Sequence, residues 1–277
     1  MKFKQALLAT LLGSSLFPAI TLAEKQPDGA LVLQKNTESV FTPEQEARIG
    51  QVAADYLVTH PEILVQVSQK LQAQYQEQQR KGLATAAVTH HAALTQDKNT
   101  PSYGPADAKV IVVEFFDYQC VYCSHLAPIM KNVMKANSQA RFVFKELPIF
   151  AGRWENSLKA AETGLQIWHQ KGAEAYIHYH NNIFATGHNE GKLTSDDIQN
   201  AAASVKFNAK TAPEVKSALE NINRLAQQLK ITGTPAIIVI PAEGATPENT
   251  TVIPGMSNEK QIQEAIDHAI GKQKQTG

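Results

Sequence analysis

The sequence is poor in cysteine, in net charge and in long apolar runs. Its 277 residues contain two cysteines, Cys120 and Cys123. A bridge between them would span two intervening residues and constrain little of the unfolded chain, so no disulfide framework staples this fold. The 26 basic and 26 acidic side chains balance, which argues against a nucleic-acid partner, because displacing counterions from phosphates needs a basic surplus. Aromatic residues make up only 7%, yet 43% apolar and 19% charged residues are ordinary for a folded chain. Collagen-like, low-complexity and wholly disordered classes are thereby excluded. After the N-terminal segment, no stretch approaches the roughly 18 uninterrupted apolar residues of a membrane span.

What is present begins with an export signal. Residues 1–23 combine a basic start (Lys2, Lys4), an apolar run from Ala6 to Leu12 continued by Leu16, Phe17 and Ile20, and a Thr21-Leu22-Ala23 end suited to a signal peptidase. Gly13, Ser14, Ser15 and Pro18 interrupt the run and disfavour a permanent anchor. Cleavage removes two lysines and no acid, leaving a slightly acidic chain. A bacterial signal of this kind leads to the periplasm, with outer-membrane or surface association open, and disulfides persist there.

Residues 24–41 have no clear period and read as a flexible lead-in. Thr42, Pro43 and Gln45 are placed to cap a helix, with Ile49, Val52, Tyr56 and Leu57 on one face. A second start at Thr59-His60-Pro61-Glu62 leads into a stripe of Ile63, Leu64, Val67, Leu71 and Tyr75, with Gly82 a weak point further on. Pro101, Gly104 and Pro105 end the helical pattern. Short amphipathic helices are marginal alone. Residues 42–100 are therefore expected to form an arm and linker helix in which residues 42–96 pair subunits, as a homodimer or a trimer; packing onto the rest of the same chain is the plainer alternative.

Val110 to Phe116 is a continuous apolar run, the pattern of a strand buried on both faces of a mixed or parallel sheet. Asp117-Tyr118-Gln119 makes a turn, Cys120-Val121-Tyr122-Cys123 follows, and Leu126, Ile129, Met130, Val133 and Met134 mark a helix. The cysteines thus fall where a strand ends and a helix begins. Free amide N–H groups and the helix dipole stabilise a thiolate there. Cys120 is expected to be the exposed nucleophile and Cys123 the resolving partner. Zinc is the competing reading, with His125 as a third ligand, but a closed structural site lacks a fourth and no second cysteine pair exists. No metal and no cofactor are expected. Far along the chain, Gly233-Thr234-Pro235 precedes the run Ala236 to Ile240. Proline belongs at such a strand entry, in a cis or an ordinary trans peptide. A short strand to Pro254 and a last helix capped by Ser257 or Asn258 complete the pattern.

These residues resemble the DsbA-like thioredoxin-fold oxidoreductases. The likeness rests on Val112 to Gln119 leading into Cys120-x-x-Cys123, on Gly233-Thr234-Pro235 and on Ile253-Pro254-Gly255. Helical patterns at Trp154–Trp168, Ala173–Phe184, Ser195–Val205 and Ala212–Leu229 match the family's insertion. The implied fold is α/β: a thioredoxin fold over residues 101–277 with a helical insertion at about 152–229, preceded by an α-helical oligomerisation region. The resemblance implies a Cys120–Cys123 disulfide, a cis Thr234–Pro235 bond beside the sulfurs, and Glu114 as a buried acid able to relay protons to Cys123. Lys145, in the next strand, is a candidate charge partner for Glu114; Val121, Tyr122 and His125 stand close to the pair.

The absence of histidine between the cysteines points to a weaker oxidant. Threonine before Pro235 and the N-terminal arm resemble the dimeric isomerases DsbC and DsbG. The whole chain resembles the 27-kDa outer-membrane-protein type of DsbA relative. Implied partners are unfolded or misoxidised exported proteins and a membrane redox protein of the DsbB or DsbD type. A disulfide oxidoreductase with isomerase character is expected; a monofunctional oxidase and a periplasmic chaperone or binding protein are the alternatives.

Overall fold

The computed structural model describes residues 40–211 and 213–272. The expected export signal and most of the lead-in lie outside these residues. The chain divides into two compact units between Pro61 and Glu62.

In the first unit, helix α1 (Pro43–Thr59) starts as its sequence dictates. The Thr42 hydroxyl accepts the Gln45 N–H at 3.3 Å, and the Gln45 side chain accepts the Thr42 N–H at 2.9 Å. Such a cap contributes about 1 kcal/mol. No residue of α1 is buried; Ile49, Val52 and Tyr56 each leave about half their surface in solvent.

The second unit opens with α2 (Glu62–Thr89), which passes through Gly82 unbroken. Leu64, Val67, Leu71 and Tyr75 are exposed along its first half, whereas Ala84 and Ala87 near its end are fully buried. Alanine has no bulk beyond Cβ, so the end of the helix can lie close against the sheet. After α3 (His91–Thr95) comes a five-stranded mixed sheet in the order β1-β3-β2-β4-β5. Its strands are β1 (Ser102–Tyr103), β2 (Val110–Phe116), β3 (Arg141–Glu146), β4 (Ala236–Pro241) and β5 (Thr251–Pro254). Strand β1 was not foreseen, because two residues are too few to display a period of two.

Central β2 runs parallel to β3 and antiparallel to β4. Its side chains alternate between two covered faces. Val110, Val112 and Phe116 join the core that contains both cysteines, helix α4 (Val121–Ala136), the insertion and the last helix, α8 (Glu259–Ala269). Ile111, Val113 and Phe115 face Ala87, Leu94, Ile222, Leu225 and Ala226. Each fully buried side chain of this size contributes about 1.5–3 kcal/mol, which is why every residue of the run except Glu114 is apolar. This topology is the expected thioredoxin fold.

The insertion consists of α5 (Glu155–Ala185), α6 (Ser195–Ser204), a 3₁₀ turn (Ala209–Thr211) and α7 (Lys216–Gln228). The two helices expected at Trp154–Trp168 and Ala173–Phe184 are the two halves of α5, separated at the non-helical Gly172, whose φ of 79° suits glycine. Helix α7 starts only at Lys216. Pro213, Glu214 and Val215 precede it in irregular backbone. Helix α8 starts at Asn258, whose side chain accepts the Gln261 N–H at 2.9 Å.

Gly104 joins β1 to the segment before β2 with φ 109°, and a Cβ there would lie 2.4 Å from the Ala140 carbonyl oxygen. Gly104→Ala should therefore cost about 2–3 kcal/mol from backbone strain and steric conflict, measured by urea unfolding. A loss below about 0.5 kcal/mol contradicts this account.

Candidate active site

The cysteine motif sits at the carboxyl end of β2, where helix α4 begins with Cys120 as its N-cap. The turn is held from within. The Cys120 N–H donates to the Asp117 carbonyl at 3.0 Å, and the Asp117 carboxylate accepts the Gln119 N–H at 2.8 Å, the Phe150 N–H at 2.9 Å and the Ser157 hydroxyl at 2.7 Å. Asp117 thus ties the turn to the segment after β3 and to the start of α5. Burial raises its pKa, and those three donors oppose the rise.

Antiparallel pairing of Phe115 with Ala236 brings the Thr234–Pro235 segment, joined by a cis peptide, over the cysteines. The Cys120 thiol donates to the Thr234 carbonyl at 3.2 Å. Both cysteines are free thiols and both are buried: Cys120 exposes 3% of its surface and Cys123 none. The expectation of an exposed nucleophile is corrected, because the Thr234–Pro235 segment covers Cys120. The Thr234 hydroxyl is buried without a hydrogen-bond partner, leaving its proton free for a thiolate.

The Cys123 thiol, the Thr234 side chain and the amides of Cys123 and Tyr122 stabilise a Cys120 thiolate. Against the opposing effect of burial they bring its pKa down to about 6. The donors are neutral; no cation contributes. Cys123 is driven the opposite way, well above the ordinary thiol range, by burial and by the negative charge that would stand on Cys120. One sulfur is thus poised as thiolate and the other as thiol, the asymmetry that directed thiol chemistry requires.

Glu114 lies in β2 on the same sheet face as the cysteines, almost wholly buried, with one carboxyl oxygen lacking any partner. Burial raises its pKa to about 8, so it is a neutral acid at pH 7. Lys145 does not face it. In β3, Lys145 pairs with Phe115 and so points to the opposite face. There its ammonium donates to the Ala93 carbonyl and the Thr100 hydroxyl, both at 2.9 Å, and lies 3.6 Å from Asp97. The expected Glu114–Lys145 pair is corrected: the two-residue period of the strands puts them on opposite sides. Lys145 instead pins the segment after α2 to the sheet. His125 and Tyr122 are exposed on α4, and Val121 is half-buried. No cluster able to hold a metal exists among the described residues.

Sequence reading missed Glu146, Tyr118, Tyr176 and His180. The Glu146 carboxyl accepts hydrogen bonds from the hydroxyls of Tyr118 (3.0 Å) and Tyr176 (2.8 Å), while its other oxygen is buried and unpartnered. The His180 ring packs among Phe116, Tyr118, Phe144, Tyr176 and Phe184, and burial lowers its pKa to about 4. Charged residues at the end of an apolar strand are common at surfaces. The one available signal was Glu146 falling on the same alternating face as Phe142 and Phe144.

A family model described as Thioredoxin matches residues 96–268, and one described as Copper resistance protein ScsC N-terminal domain matches residues 45–78. Among solved structures, BcfH of Salmonella enterica Typhimurium is 40% identical, with 82% of this chain and 96% of that chain covered and a TM-score of 0.69. Proteus mirabilis ScsC in a transitional conformation is 25% identical, with 84% and 99% covered and a TM-score of 0.57. A thioredoxin-like oxidoreductase from Silicibacter pomeroyi is 30% identical, with 65% and 97% covered and a TM-score of 0.54. Among curated proteins, a stretch of 46 residues is 35% identical to Na(+)/H(+) antiporter NhaA 3 of Salinispora tropica. That stretch spans 17% of this chain and 7% of the antiporter.

Two outcomes are expected. Alkylation of the reduced native chain should label Cys120 with a midpoint near pH 6 and spare Cys123 throughout; a midpoint in the ordinary thiol range contradicts the site described. The second concerns Glu114, which keeps in the folded state a proton that the unfolded chain releases at about 4.5. The folded chain therefore loses relative stability as pH rises from 4.5 to about 8. Glu114→Leu should gain on the parent over that interval by about 3 kcal/mol at pH 7. Denaturant unfolding at several pH values tests it, and a pH-independent difference contradicts it.

Proposed function

We propose, from the premise that this chain belongs to the thioredoxin family, that it is a periplasmic protein thiol-disulfide oxidoreductase that forms and isomerises disulfides in exported proteins. The observation that carries the reading is the opposed state of the two sulfurs: Cys120 stabilised as thiolate at a helix N-terminus beside Thr234, and Cys123 held as thiol beneath it.

In the oxidising direction a substrate thiolate attacks Cys120 Sγ of the Cys120–Cys123 disulfide. A substrate–Cys120 bond forms, the Cys120–Cys123 bond breaks, and Cys123 leaves with the electron pair. Its high pKa demands a proton at that moment, and neutral Glu114 is the nearby buried acid that can supply one. A second substrate thiolate then attacks the substrate sulfur of the mixed disulfide and releases Cys120 as thiolate. The substrate loses two electrons and the enzyme gains them. The cycle closes when a membrane redox partner of the DsbB type removes them, whereas a partner of the DsbD type would supply the two electrons that keep the pair as dithiol for isomerisation. In isomerisation, the Cys120 thiolate attacks a wrong substrate disulfide and is released when another substrate thiol completes the exchange. Residues 42–96 join subunits into a homodimer, or a trimer, through the exposed stripes of α1 and α2. The export signal expected from the sequence of residues 1–23 supports the periplasmic location, with outer-membrane or surface association open.

A second reading, the monofunctional oxidase, is favoured by one observation. A Cys120 pKa of about 6 stabilises the reduced form above that pH, which makes the disulfide more oxidising.

Refolding of scrambled ribonuclease discriminates between thiol chemistry and passive holding. Recovery should fall to the uncatalysed rate with Cys120→Ala; recovery that persists means a chaperone. Catalysed formation of disulfides in reduced ribonuclease without rescue of the scrambled form would select the oxidase. Deletion of residues 24–78, which spares the core residues Ala84, Ala87 and Leu94, should give a monomer by native mass, and a deletion product that stays oligomeric refutes the role of the arm.

A further inference from the structure

Glu146 is a buried ionisable group that the thiol chemistry does not use, and the ways of satisfying it converge on the redox turn. It ends β3 opposite Phe116, the last residue of β2, so its side chain emerges beside the point where the chain turns toward Cys120. It has no exposed surface, and among the described residues no ion pair includes it. Oε1 accepts two phenolic hydroxyls, from Tyr118 in the turn and Tyr176 in the second half of α5. The first half of α5 closes over the same oxygen at Gly164, where a Cβ would lie 2.7 Å from Oε1 and 3.4 Å from the Tyr118 hydroxyl. One carboxyl oxygen therefore joins three parts of the molecule: the sheet, the insertion helix and the turn, two residues ahead of the nucleophile.

A buried carboxyl is a costly way to satisfy two hydroxyls, since each unmet polar atom costs about 1–3 kcal/mol, and Glu146 Oε2 is such an atom. The stability of the fold alone does not account for it. Tyr118 offers a reason. Its ring packs among Phe116, Tyr179, His180 and Phe184, and its hydroxyl adds a directional anchor on Glu146. That anchor adds to the Asp117 hydrogen bonds that hold residues 117–119 and so bears on the direction in which the first amides of α4 point at Cys120 Sγ.

We propose that Glu146 is a positioning residue of the redox centre, acting through Tyr118 to hold the turn so that the amides of Tyr122 and Cys123 and the Thr234 side chain converge on the Cys120 sulfur. The inference rests on the reading of Cys120 as a redox thiolate. Tyr176 and Gly164 bring the insertion into the same arrangement, so the packing of the insertion is felt at the sulfur.

The test titrates the Cys120 thiolate, by its ultraviolet absorbance and by alkylation rate, in the full chain and in four variants. Glu146→Leu and Tyr118→Phe should move the midpoint up by about half a pH unit or more, which is about three-fold less thiolate below the midpoint. Glu146→Gln keeps an acceptor at Oε1 and should restore the parent midpoint. Tyr179→Phe removes an equally buried hydroxyl that donates to the Ala160 carbonyl at 2.8 Å and not to Glu146; it should lower stability and leave the midpoint in place. The proposal is overturned if Tyr118→Phe titrates like the parent, or if Tyr179→Phe moves the midpoint as far as Tyr118→Phe does. Should Glu146→Leu fail to fold, the two tyrosine variants decide alone. A parent chain whose Cys120 titrates as an ordinary thiol would instead refute the redox reading, a result distinct from a parent thiolate that ignores Glu146.

Discussion

The antiparallel pairing of β2 with β4 is the constraint on which the site depends. It sets Phe115 opposite Ala236 and thereby lays Thr234 and Pro235 across the start of α4, from a segment 114 residues away in sequence. Without that register Cys120 would lose its cover and its Thr234 contacts and keep only Cys123 and the first amides of α4 beside it. With it, the sulfur is covered, meets the Thr234 carbonyl and lies beside an unused hydroxyl. A slip of one residue would turn every side chain of β4 to the wrong face, and Ile237 and Val239 on one side with Ile238 and Ile240 on the other resist such a slip.

Around that register the molecule buries acids that solvent would otherwise hold ionised. Asp117 is met by three donors and acts as a fastener. Glu114 is met by none at one oxygen and retains its proton. Glu146 lies between the two cases, with two donors on one oxygen and an orphan on the other. Desolvation dominates in all three, and the number of donors separates a structural carboxylate from one able to exchange a proton. Lys145 shows the same logic on the opposite face, where burial brings its pKa down to about 8 and Asp97 opposes the fall. Its neighbours are carbonyl, hydroxyl and carboxylate groups of the segment that follows α2, so its place in the fold is an anchorage.

Much of this was legible in local sequence. The capping residues Thr42, Gln45 and Asn258 act within one turn of their own helix, and their hydrogen bonds fall where the residue types put them. The apolar runs of β2 and β4 declared two covered faces, and the Cys-x-x-Cys spacing with its strand-to-helix context placed the two sulfurs at the start of α4. Less legible was β1, which exists by pairing with the distant β3 and is too short to show a pattern of its own.

Sequence by itself determined the helices with their caps, the central strands, the family resemblance and the two sulfurs, because each follows from neighbours within a few residues. Tertiary structure alone decided which side chains meet. It sent Lys145 away from Glu114 by the parity of one strand, covered Cys120 with a distant loop, and gathered Tyr118, Tyr176 and Gly164 on Glu146. Those outcomes depend on strand register and helix approach. Both are set by the packing of the whole core, and no local pattern encodes them.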